Sequence, residues 1–382
     1  MLKLLTSVSL RYFAKRCLHS ISDKIKVTII GGAGEVGRHL GVYVKVNNDV
    51  DEIALYDIVN CEGVSRDLMD INTKPVIKCY KGEKELLPAL QSSNLVLIVG
   101  GQTRSPKVKT RNEYFEINAP IIKKIIEAVP QVNSKLPFIH ICTNPVNALV
   151  PLAAEVLTKQ NHYDKRLLSG STSIDTMRAR AMLGLLKHID PTKLDIPVIG
   201  GHSAESVTPI LSQCKPKILI YDIEREILTN AIQNASVKLS EIKDNQGESV
   251  FSMAYAAAMF SNNVIRAIRG RTIEEVAYIP CDVAKGVRFF STRFLMDKNG
   301  IKDIYPLPLM DEFETNLFNS AVKDIEEWLE EHKAISSQQG KENVTQRNLQ
   351  NSENLMHFFI LKYILKRNKE NLIKIFSCQC QD

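Results

Sequence analysis

The 382-residue chain has no apolar run approaching the ~20 residues needed to cross a bilayer. Its eight cysteines give no paired spacing of the kind that binds zinc, apart from the terminal Cys378-Gln379-Cys380, and at this length they do not form a disulfide framework. Free thiols in a reducing compartment, and no metal site, are the expectation. Acidic residues are missing from one place in particular, the first 22 positions, where Lys3, Arg11, Lys15 and Arg16 stand unopposed. That segment also carries serines and can form a helix with Leu10, Phe13, Ala14 and Cys17 on one face. Arg11 and Lys15 interrupt any secretory apolar core, so residues 1–22 read as a mitochondrial transit peptide, with a frayed basic terminus as the other reading.

The net charge of +6 is therefore misleading as a sign of a nucleic-acid partner. The leader holds four of those positive charges, and the stretch from Lys333 onward, with eight Lys/Arg against four Asp/Glu, holds another four. The remaining body is about −2, and nucleic acid loses its support as a ligand. With 44% apolar and 24% charged residues, the chain has the composition of a globular protein of two or three domains.

What is present begins with a β-rich run, Lys26 to Ile30, followed by the glycine-rich turn Gly31-Gly-Ala-Gly34-Glu-Val-Gly37 and a helical pattern from Val36 to Val46. A second strand, Ile53 to Asp57, ends in a carboxylate 20 residues beyond Gly37. This is the order of a dinucleotide-binding β-turn-α-β unit: the glycines let a pyrophosphate approach backbone N–H groups, and the acid accepts from a ribose 2′-hydroxyl while repelling a 2′-phosphate. NAD is expected rather than NADP. Glu35, inside the glycine turn, either repels the pyrophosphate or points to solvent, where an acid in the first turn is favourable to the helix dipole. Further strands are expected at 95–99 and 138–142, with a helix over 113–129, and the Thr143-Asn-Pro-Val-Asn147 run lies at the carboxyl edge where open α/β sheets bind ligands.

From Ser169 the pattern changes to longer helices. A helix over 173–187 puts Asp175 and Arg178, three apart, on one face, and His202 follows two glycines. Each alone has an ordinary structural explanation, a surface ion pair or a core histidine. Together they form a set suited to moving a proton on and off an alcohol: a base, a carboxylate that orients it, and a cation that fixes the substrate.

In this order, from about Lys24 to about Glu331 and through phrases such as PVIGGH, SQC and FSMAYA, the chain resembles the lactate/malate dehydrogenase family, its mitochondrial malate-oxidising branch in particular. The resemblance implies an α/β fold: a Rossmann-type doubly wound parallel sheet at 23–168, then a mixed α/β substrate domain at 169–332. It implies NAD bound by Gly31, Gly34, Gly37, Asp57, Asn118, Thr143, Asn144 and Met253. It implies His202 as proton acceptor and donor, oriented by Asp175, with Arg178 and Arg104 holding the two carboxylates of malate or oxaloacetate. Arg111 would polarise the carbonyl and Asn144 would contact the substrate. An arginine at 104, where lactate dehydrogenases place glutamine, selects a dicarboxylate. A homodimer in the mitochondrial matrix is expected as well.

The chain departs from the family in three places. The loop Arg104-Ser-Pro-Lys-Val-Lys-Thr-Arg111 is one residue longer than its relatives' and lacks their glycine; Ala204 and Glu205 replace Gly and Lys after the histidine; and Asp244 to Val250 replaces an AGAGSAT-like run, bringing in Glu248. Glu205 and Glu248, if near the site, repel a dianion. These departures leave open a diverged paralogue with a structural role, or a dehydrogenase for another 2-hydroxy acid. From about Glu331 a polar linker is expected. A basic, apolar extension follows, cut by Lys362 and Lys366; it is suited to an anionic membrane surface or a partner, or is an unrelated addition.

Overall fold

The computed structural model describes residues 24–103, 108 and 110–338, except the side chains of 332–338. The transit-peptide reading of 1–22, Arg104, and the extension beyond 338 lie outside the described residues.

In chain order the strands are β1 Lys26–Ile30, β2 Glu52–Asp57, β3 Val76–Lys81, β4 Leu95–Ile98, β5 Phe138–Ile141, β6 Leu168–Gly170, β7 Val198–Gly200, β8 Val207–Pro209, β9 Ile273–Pro280, β10 Phe289–Asp297 and β11 Gly300–Ile304. The helices are α1 Glu35–Lys45, α2 Glu62–Met69, α3 Leu86–Leu90, α4 Arg111–Ala128, α5 Val146–Lys159, α6 Ser173–Lys187, α7 Asp222–Gln233, α8 Ala235–Ile242, α9 Phe251–Ile268 and α10 Glu312–Gln338.

The strands run β3-β2-β1-β4-β5-β6-β9-β10-β7-β8, with β11 on β10. Through β6 every pairing is parallel, and from the β6–β9 contact onward every pairing is antiparallel. The order 3-2-1-4-5-6 is that of a doubly wound dinucleotide-binding sheet. The central strand β1 is buried at every residue, as a parallel strand covered on both faces must be. The expected α/β fold, a Rossmann-type sheet followed by a mixed α/β region, is the observed one.

One helix from the second half closes the core of the first. α9 presents Met253, Ala254, Ala256, Ala257 and Phe260 to the cluster containing Val27, Ile29, Leu40, Val44 and Leu55. Its alanines leave room for α1 to approach, and Asn47 Nδ2 donates to Asn262 Oδ1 at 2.7 Å at the end of that contact. Each large aliphatic side chain fully buried in this cluster contributes roughly 1.5–3 kcal/mol.

The helix α10 does not stop at the expected break near Glu331 but continues to Gln338. Glu330, Glu331, Lys333 and Ala334 are strong helix formers, and no glycine or proline occurs before Gly340, so composition changes before helical propensity does. Cys61, Cys79, Cys142, Cys214 and Cys281 carry free thiols. No helix among the described residues is long and apolar enough to cross a membrane.

Candidate active site

The turn after β1 is shaped by what its glycines lack. Gly31 has φ +96°, and a Cβ on Gly37 would stand 2.0 Å from the Gly31 carbonyl oxygen, so neither accepts a side chain without moving backbone. Gly34 is the N-cap of α1 and supplies no side-chain cap, which leaves the first amides of the helix to an outside anion. Asp57, at the end of β2, accepts from the Ala33 N–H at 2.9 Å, so the acid is fixed beside the glycine turn. This backbone cradle with a carboxylate at its rim fits the pyrophosphate and adenine-side ribose of NAD. Glu35 does not intrude: its side chain is 62% exposed and pairs with Arg38 at 3.2 Å.

Asn118, Thr143 and Asn144 meet at the ends of β4 and β5. The fully buried Asn118 accepts from the Gln102 N–H at 2.7 Å and donates to the carbonyls of Gln102 (3.1 Å) and Asn144 (2.8 Å). Thr143 Oγ1 donates to the Gly100 carbonyl at 2.8 Å. Met253 lies buried in the first turn of α9.

In the second half, chemistry is held by side-chain pairing. Asp175, in the first turn of α6 and 1% exposed, divides its two oxygens between two partners. Oδ2 meets His202 Nδ1 at 2.6 Å, and Oδ1 accepts from Arg178 Nη1 at 3.2 Å. A carboxylate only accepts, so the contact assigns the imidazole proton to Nδ1 and leaves the lone pair on Nε2. Arg178 Nη2 also donates to Ser236 Oγ and Ser249 Oγ, both at 2.8 Å. The guanidinium is thus oriented from α6, α8 and the segment before α9. A buried charge held by one partner alone would be costly; here each member satisfies the next.

The His202 loop is fastened to the carboxyl edge of the sheet by a residue of the TNPVN run. Asn147 Oδ1 accepts from the His202 N–H at 2.8 Å and its Nδ2 donates to Ser206 Oγ at 3.1 Å. Gly201 has to be bare for this, because a Cβ there would lie 2.5 Å from both Asn147 Nδ2 and Ser206 Oγ.

Arg111 opens α4 and reaches the same loop. Its Nη1 donates to Asp324 Oδ1 at 2.9 Å, its Nη2 pairs with Glu205, and its guanidinium lies 5.5 Å from the centre of the Trp328 ring. The other Asp324 oxygen accepts from Ser203 Oγ at 2.7 Å. Both acids noted as departures are therefore at the site, Glu205 on Arg111 and Glu248 on Asn144, whose Nδ2 donates to Glu248 Oε2 at 3.1 Å.

The structure brings His202, Asp175 and Arg178 into direct contact, gathers Asn118, Thr143 and Asn144, and places Arg111 on the loop that follows His202. The partners Ser236, Ser249, Asp324 and Trp328 escaped the sequence reading, because nothing in their local pattern marks the side chain they meet more than fifty residues away.

Residues 25–170 match the family model for the lactate/malate dehydrogenase NAD-binding domain, and residues 172–336 the model for the lactate/malate dehydrogenase alpha/beta C-terminal domain. The mitochondrial malate dehydrogenase of Caenorhabditis elegans is 35% identical over 304 residues, covering 80% of this chain and 89% of the relative. The chloroplastic malate dehydrogenase of Arabidopsis thaliana is 38% identical over 285 residues, covering 74% and 70%. Among solved structures, malate dehydrogenase from Cryptosporidium parvum superposes with a TM-score of 0.71 at 22% identity, covering 81% of this chain and 99% of that one. Lactate dehydrogenase from Eimeria maxima with NADH and oxamate gives 0.71 at 18% identity, covering 82% and 95%. At those identities the superpositions establish the fold.

Proposed function

The chain belongs to the lactate/malate dehydrogenase family of NAD-binding oxidoreductases, and we propose that it is an NAD-dependent malate dehydrogenase interconverting (S)-malate and oxaloacetate in the mitochondrial matrix. The observation that carries the reading is the buried Asp175 carboxylate shared between His202 and Arg178. Bound NAD supplies the hydride acceptor in the direction of malate oxidation. His202 Nε2 takes the malate hydroxyl proton as the carbinol hydrogen leaves as hydride, and returns that proton in reverse. Asp175 keeps the imidazole in the required tautomer and stabilises the imidazolium, a general acid–base contribution on the order of 10²–10⁴-fold. Arg178 grips the carboxylate beside the reacting carbon with a planar fork that lysine does not reproduce. Arg111 polarises the carbonyl oxygen, and Arg104 receives the second carboxylate.

The Gly31–Gly37 turn, Asp57, Asn118, Thr143, Asn144 and Met253 would hold the cofactor. The acid-free leader and the mitochondrial relative support the compartment. Exposed Val42 on α1, Val46 at its C-cap, and Phe251 and Tyr255 on α9 support a homodimer. A second reading, a diverged paralogue of low turnover, draws on Glu205 and Glu248, which place negative charge on Arg111 and Asn144.

The test is a panel of 2-oxo acids with NADH and NADPH. Malate dehydrogenase predicts oxaloacetate preferred over pyruvate and NADH far better than NADPH. Preference for a monocarboxylic or branched 2-oxo acid contradicts the assignment to malate. Equal use of the two cofactors contradicts the role of Asp57.

A further inference from the structure

Arg111 is occupied. Two carboxylates, Asp324 and Glu205, and the face of Trp328 surround one guanidinium. The two acids are not equivalent. Asp324 is 14% exposed and is also tied to Ser203, so it belongs to the scaffold of the His202 loop. Glu205 is 57% exposed, and water solvates it readily when it lets go.

We infer that Glu205 sets substrate affinity: it is an internal carboxylate that competes with an anionic 2-oxo acid for Arg111, so that substrate binds only by displacing it. This rests on the proposed role of Arg111 in reading the substrate. A competitor present in the free protein and absent from the complex weakens ground state and transition state equally, so it raises KM and leaves kcat unchanged. An exposed ion pair shifts such an equilibrium by up to about fivefold. Charge, rather than bulk, is the active property, because glutamine at this position keeps the shape and removes the competition.

The chain contains one tryptophan, Trp328, and Arg111 lies over it. A cation leaving an indole face changes the field on the ring, so Trp328 emission reports the departure of Arg111 without any turnover. The experiment compares the full chain with Glu205→Gln and Glu205→Asp in two readouts. One is KM and kcat for oxaloacetate with NADH. The other is Trp328 emission titrated with malonate, a transparent dicarboxylate, in the presence of NAD.

The expected result is a three- to fivefold lower KM and malonate midpoint in Glu205→Gln, kcat within twofold, and values in Glu205→Asp returning toward the parent. An Arg111→Met control should lose the emission change. Unchanged KM and midpoint in Glu205→Gln overturn the inference, as does an emission change that survives in Arg111→Met or malonate binding absent from every variant. A parent chain that turns over no 2-oxo acid, with the malonate midpoint still shifted in Glu205→Gln, sinks the malate dehydrogenase reading and leaves the competition standing.

Discussion

The glycine turn after β1 and the His202 cluster make their sites in opposite ways. At the turn, function comes from missing side chains: Gly31 and Gly37 pack backbone against backbone, and the amides at the start of α1 face outward. At the cluster, function comes from side chains holding one another, Asp175 between His202 and Arg178, and Arg178 between Asp175 and two serines. A backbone site tolerates a neighbouring substitution such as Glu35, whose side chain turns to solvent. A side-chain site registers substitutions directly, and both new acids near it have taken a partner from it.

The comparison breaks most sharply at Asp175. Asp175→Asn keeps the volume but turns one of its two acceptors into a donor, so that His202 or Arg178 loses its acceptor, and it withdraws the negative charge from both. A fall in kcat/KM of roughly 10²–10⁴-fold is expected with NADH affinity retained. Loss of NADH binding in that variant would show that the two regions are not separable. The converse change, Gly37→Ala, forces a Cβ onto the Gly31 carbonyl. It should cost about 1–3 kcal/mol in denaturant unfolding and raise the NADH Kd more than tenfold. An unchanged Kd would remove the turn from the cofactor site.

The smallest effect is a titration. His140 on β5 is fully enclosed, stacked on Phe260 at 3.8 Å, with Nδ1 on Ser169 Oγ at 2.9 Å. Burial lowers its pKa from 6.5 to about 3. The unfolded chain takes up this proton near pH 6.5 and the native one does not, so the stability due to neutral His140 is present above pH 6.5 and is lost as pH falls toward 3. Between pH 7 and 5.5 the expected loss is about 1.2 kcal/mol. His140→Gln, compared by urea unfolding at the two values, should lack that increment, and an identical pH slope in both proteins would contradict it.

Much of the fold was legible because it is locally encoded. The strand and helix around the glycine turn match their expected bounds to within a residue, and α6 spans Ser173–Lys187 as its periodicity indicates. His202, Asp175 and Arg178 were legible by type and order. What stayed hidden was pairing across sequence distance. Asp324 and Trp328 sit on a helix whose pattern reads as ordinary amphipathic spacing, and Ser236 and Ser249 carry no signal until Arg178 meets them. α10 runs past the composition break near Glu331, because a polar composition is compatible with helix when its residues favour one.

The most direct measurement is NADH oxidation by oxaloacetate with the purified full chain and with His202→Asn, each checked for NADH binding. The account predicts turnover in the parent, a loss of roughly 10²-fold or more in the variant, and equal NADH affinity. Turnover that survives in His202→Asn, or a parent that binds NADH and reduces no oxaloacetate, would contradict it.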